Sequence, residues 1–158
     1  MMEATNIIFV PGLALFLAPP RDSFELLAVS AAVLCCAGFL YVGARYWLAL
    51  DRRIKRSDDQ AKAKALDLAD SAEIPLLSMT VVAMLLAISG FAVRGPSPPM
   101  FSALILAGLA LLEYVNYYHR QLMNFDRLSD FQRLLRTGRL RRAHMSRDLA
   151  VHRKRLQG

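Results

Sequence analysis

The sequence predicts an all-α integral membrane protein. It has three transmembrane helices, a short N-terminal interfacial or re-entrant helix (its rival reading being a fourth span), and a cytoplasmic amphipathic basic helical tail. Three uncharged apolar runs carry that prediction: residues 26–44, 74–93 and 100–112, the last extended by residues 114–118. At about 1.5 Å per helical residue, such runs suit roughly 30 Å of hydrocarbon. Lipid offers no partner to exposed backbone N–H and C=O groups, which leaves helices or a closed barrel. The second observation is segregation. Apolar residues make up 55% of the 158, yet the formal net charge is +7. The charges are gathered between the runs instead of interleaved at the spacing of a soluble core.

Residues 1–23 form the first segment. The apolar stretch 7–18 is interrupted by Pro11-Gly12 and ends in Pro19-Pro20. Twelve helical residues cover about 18 Å, which is short for a span. The preceding Met-Met-Glu-Ala-Thr-Asn lacks the basic start of a signal peptide. The transmembrane domain then occupies residues 24–118, with spans at about 24–48, 74–93 and 100–119. Cys35 and Cys36 lie mid-span and read as small packing residues, since no CxxC or Cys/His spacing accompanies them.

Orientation follows from the lysines and arginines. Segment 51–73 carries six and the tail from residue 119 carries eleven, whereas the link Arg-Gly-Pro-Ser-Pro-Pro at 94–99 carries one. The positive-inside rule therefore puts loop 51–73 and the C-terminus in the cytoplasm, and suits a bacterial inner membrane. Within the loop, Asp58 and Asp59 cap an expected connector helix over 60–69, with a thin stripe of Ala61, Ala65, Leu68 and Ala69. Pro75 fits the first turn of a new helix, the second span.

The third helix is expected to run unbroken to about Arg127. Ser129 and Gln132 have capping-box spacing, and Phe125, Leu128, Phe131, Leu134 and Leu135 make an apolar face that Gly138 ends. A last basic helix is expected over 140–156. Its arginines and lysine, with those before it, are candidate contacts for anionic lipid or a partner: Arg127, Arg133, Arg136, Arg139, Arg141, Arg142, Arg153, Lys154 and Arg155. Nucleic acid would meet the same charges but is the weaker reading, because the tail is tethered beside lipid.

Polar residues at membrane depth are the second candidate site. Arg45 lies six residues before Asp51, and Glu113 seven before Arg120. Boundary counting thus sets them level, as an interhelical ion pair. Asn116, Tyr117 and His119 extend a polar pocket there, inside an aromatic layer of Tyr41, Tyr46, Trp47, Tyr114 and Tyr118. No cofactor or metal is expected: His119, His144 and His152 are the only histidines, and no HExxH, phosphate loop or GxSxG occurs. These features favour a non-enzymatic accessory subunit or scaffold of a membrane complex, with a protein partner or a second copy of itself. The alternatives are a small oligomeric channel or transporter using Arg45 and Glu113, and a membrane enzyme using the Tyr/Asn/His layer.

Overall fold

The computed structural model describes residues 2–120 and 142–157. Its contacts divide the chain into two compact units, residues 1–113 and 114–158. Three helices are long and apolar enough to cross a membrane: α2 (Ser23–Arg56), α3 (Asp59–Arg94) and α4 (Pro98–Tyr118). They are preceded by α1 (Met2–Leu17) and followed by α5 (His144–Gln157).

In the first unit α2 is the central helix, packing on both α1 and α3. Half of its apolar stretch is buried, against 22% of that of α3. The buried faces are lined by small residues: Ala28, Ala32, Cys35 and Cys36 on α2, Ala83, Ala87 and Gly90 on α3, and Ala103, Ala107 and Ala110 on α4. Small side chains let membrane helices approach closely, which matters where lipid removes the hydrophobic drive between helices. Gly90 shows how closely: a Cβ there would collide with the Met100 thioether and touch the Phe24 ring. Beside it Phe91 and Phe101 meet edge to face, centroids 4.6 Å apart. Leu34, Leu85 and Ile105 point outward, as lipid-facing residues do.

Two expectations about local structure are corrected in this unit. First, α1 runs through Pro11 without a break. A proline inside a helix frees only the carbonyl one turn earlier, and the apolar residues around it continue the helix. Second, there is no separate connector helix. Residues 51–56 complete α2, and residues 59–73 are the first part of α3, which passes through Pro75 into the span. Only Ser57 and Asp58 lie outside the helices, Ser57 in the left-handed region at φ 53°. Asp58 caps α3 by accepting from the Ala61 amide at 2.9 Å. Arg53 and Asp59 pair across the turn at 2.7 Å, and Asp51 and Lys55 pair one turn apart at 2.9 Å. Strong helix formers on both sides of Pro75, together with packing along α2, outweigh the proline's lost hydrogen bond.

The consequence is a matter of length. The 34 residues of α2 and 36 of α3 make rods of about 50 Å. Roughly 30 Å of that suffices for hydrocarbon, so about 20 Å of paired helix extends beyond it at the Ser57 end. Ala49 of α2 and Ala65, Leu66 and Ala69 of α3 are buried in this extension.

In the second unit α4 stops at Tyr118 instead of continuing to Arg127. The amides of His119 and Arg120 both donate to the Val115 carbonyl, at 3.0 and 2.8 Å, which closes the last turn. Arg120 then forms an isolated antiparallel bridge with Arg142, and the Ala143 amide donates to the His119 carbonyl at 3.2 Å. The start of α5 is thereby tied to the end of α4. On α5, Met145 and Leu149 are buried. The expected capping box at Ser129 and Gln132, the apolar face from Phe125 to Leu135, and Arg127, Arg133, Arg136, Arg139 and Arg141 lie outside the described residues.

Candidate functional site

In the first unit a set of polar side chains joins the start of α2 to the end of α3. Asp22 caps α2 after the Pro19-Pro20 stop, accepting from the amides of Phe24 at 2.8 Å and Glu25 at 2.9 Å. Glu25, three residues on, holds the capping-box position but reaches one residue further back than the cap. Its Oε2 accepts from the Arg21 amide at 2.8 Å, and its Oε1 accepts from the Ser97 hydroxyl at 2.7 Å. The Glu25 side chain is buried, so both of these bonds replace water. Arg94, the last residue of α3, pairs with Asp22 at 2.5 Å and lies over the Phe24 ring, 4.6 Å from its centroid. This clasp joins the α3–α4 turn to the start of α2.

The sequence reading missed the clasp. Its available signals were the Asp-x-x-Glu spacing directly after two prolines and an arginine at the end of the second apolar run. The Glu25 amide bond chiefly, and the Arg94 charge as well, hold the Asp22 carboxyl below its ordinary pKa, against partial desolvation that raises it. A carboxylate with a depressed folded-state pKa contributes stability that is fully present above the unfolded value and lost as pH falls through the folded one. Thermal stability in detergent is therefore expected to fall as pH drops below about 4. Asp22→Asn should flatten part of that acid limb. An unchanged limb would show that Asp22 does not contribute to it.

The clasp also sets helix register. Ser97 meets Glu25, so α2 and α4 start together and run in the same direction. Arg45 is 22 residues beyond Ser23, and Glu113 is 15 beyond Pro98. Their levels differ by seven residues, about 10 Å. Glu113 is half-buried and within electrostatic reach of Cys36, near the middle of the α2 apolar stretch, whereas Arg45 is exposed nearer the charged end. Counting inward from charged boundaries set the two level. The clasp counts from the other end, and α2 runs on to Arg56 while α4 stops at Tyr118. Next to Cys36, Cys35 reaches the Thr80 hydroxyl, which itself donates to the Leu76 carbonyl at 2.7 Å.

The expected aromatic layer divides between the units. On α2, Tyr46 is buried and meets Trp47 edge-on at 5.4 Å, with Tyr41 and Trp47 exposed. At the end of α4, Tyr114 stacks on Tyr118 at 5.4 Å, and its hydroxyl is 2.9 Å from His119 Nε2. Asn116 is half-buried and Tyr117 buried. On α5, Arg153, Lys154 and Arg155 are exposed, as is Arg142 just before it. Arg142 Nε donates to the Ser146 hydroxyl at 3.2 Å, and Arg147 is 2.9 Å from His144 Nδ1. Among the described residues no group of three or more His, Cys, Asp or Glu side chains is arranged to hold a metal ion. The chain matches no protein-family model, and no curated protein or solved structure resembles it at a significant level.

Proposed function

We propose that this protein is a non-enzymatic scaffold or accessory subunit of a membrane complex. In this reading the extended α2–α3 hairpin holds a partner on the cytoplasmic side, and the basic tail contacts anionic lipid. The supporting observation is the hairpin's length. A span needs only about 20 residues, yet α2 and α3 continue as paired helices for about 20 Å more. The end of that arm exposes Arg52, Arg53, Lys55, Arg56 and Asp59. A stiff helical arm with a charged tip suits docking, because it presents side chains at a set distance with little ordering cost on binding.

Two measurements test this. Cysteines introduced for Lys64 and for Pro96, both exposed, report sidedness with a membrane-impermeant thiol reagent. Pro96→Cys should label in intact cells and Lys64→Cys only after lysis; the reverse would overturn the orientation. Second, purification in mild detergent should retain a stoichiometric foreign subunit that Arg52→Glu with Arg56→Glu releases. A pure homo-oligomer that conducts ions in liposomes would instead favour a channel, for which Glu113, at mid-depth, is the candidate pathway residue.

A further inference from the structure

We infer that α1 enters the bilayer beside α2, and that the leaflet around its first turns is drawn thin, so that water reaches them from the Ser57 side of the membrane. The insertion stands apart from the scaffold reading; only the naming of that side as cytoplasmic rests on the orientation proposed above. Residues 18–22 are the whole link between α1 and α2, and the two helices pack on each other, so α1 doubles back along α2 from the clasp end. The covered face is not confined to the link. Ile7, Val10, Pro11, Ala14 and Ala18, at three- and four-residue steps, are buried or half-buried along the whole apolar length.

The opposite face shows which solvent α1 meets. Ile8, Phe9, Leu13, Phe16 and Leu17 are exposed, the two phenylalanines by 60% and 82%. A helix lying among headgroups turns a polar or charged face to water. Residues 7–18 carry no polar side chain on any face. The outward side of α1 therefore belongs to hydrocarbon, as do Leu34, Leu85 and Ile105 on the neighbouring helices.

Length then creates a mismatch. The run 7–18 covers about 18 Å, where the other spans suit roughly 30 Å. Thr5 is exposed and lies 13 residues before Ala18, which puts it about 20 Å in from the clasp end. Glu3, Thr5 and Asn6 make this stretch of α1 polar. In a bilayer of even thickness these residues would stop about 10 Å short of the far boundary. A short apolar helix is matched by thinning of the bilayer, and ionisable groups at depth draw in water and headgroups. Since α2, α3 and α4 are long enough to keep the full thickness, the thinning is local to α1.

The test is thiol accessibility in sealed vesicles of both orientations, read with a membrane-impermeant maleimide. The parent protein is the blank, because Cys35 and Cys36 are buried. Thr5→Cys should label from the side that labels Lys64→Cys and stay unlabelled from the side that labels Pro96→Cys. Phe9→Cys should react at least about a hundredfold more slowly from either side, since the reactive thiolate does not form in hydrocarbon. A reversed orientation would move Thr5→Cys and Lys64→Cys together and leave the insertion standing. Labelling of Thr5→Cys from the Pro96 side would overturn it. If Thr5→Cys reacted from neither side, the thinned leaflet would be overturned. Labelling of Phe9→Cys as fast as Lys64→Cys would overturn the hydrocarbon contact.

Discussion

Glu25→Ala should destabilise the detergent-solubilised protein by about 1–3 kcal/mol, the range for leaving buried hydrogen-bonding partners unsatisfied. The carboxylate is buried and accepts from both the Arg21 amide and the Ser97 hydroxyl. Truncation orphans both donors and cuts one of the links between the α3–α4 turn and α2. Glu25→Gln keeps the side chain's size and one carbonyl acceptor, so it should lose less. Ser97→Ala removes one donor together with its bond and should cost less still. Thermal unfolding of the three variants provides the check. If Glu25→Ala unfolds within about 0.5 kcal/mol of the parent, as an ordinary surface change would, the clasp does not hold the helices together.

The largest effect is expected at Ala69. It is fully buried on α3 in the part of the hairpin that extends beyond the span. Ala69→Glu places a charge in a packed helix–helix contact, where an uncompensated buried charge costs about 3 kcal/mol or more. The hairpin can avoid that cost by separating its two helices locally, while the apolar spans stay packed. The expected result is rapid trypsin cleavage within residues 52–64, with the membrane-embedded fragments intact. Ser71→Glu, at an exposed position of the same helix, should leave the cleavage rate near that of the parent. Equal protection of both variants would mean that the extension is not a packed pair. Under the scaffold reading, Ala69→Glu should also release the partner subunit while leaving the protein in the membrane.

The membrane class was legible before any coordinates, because hydropathy over about 20 residues measures directly what a bilayer demands. The Asp58 cap was legible too, since a cap depends on residues within one turn of each other. Continuity was less so. Charge at 51–73 and Pro75 marked the edge of the apolar runs, but an edge in hydropathy is not an edge in helix. Backbone hydrogen bonds continue wherever propensity and packing allow, so two spans and a loop became one 36-residue helix and an extended partner. The end of α4 failed in the opposite direction. Nothing local breaks the helix at Tyr118, yet the chain leaves it to pair Arg120 with Arg142, 22 residues on.

Depth was the property that sequence alone could not supply. Arg45 and Glu113 are similarly placed relative to their nearest charged boundaries, and that is all a linear count can see. The register between α2 and α4 is set at the other end, by Glu25, Ser97 and the close contact of Gly90 with Met100 and Phe24. The apolar helical class and the Asp58 cap follow from residues near one another in the chain, each constrained by the solvent it must match. The Glu25–Ser97 bond and the Arg120–Arg142 backbone bridge join residues 72 and 22 positions apart, and such pairings are chosen by the packing of whole helices.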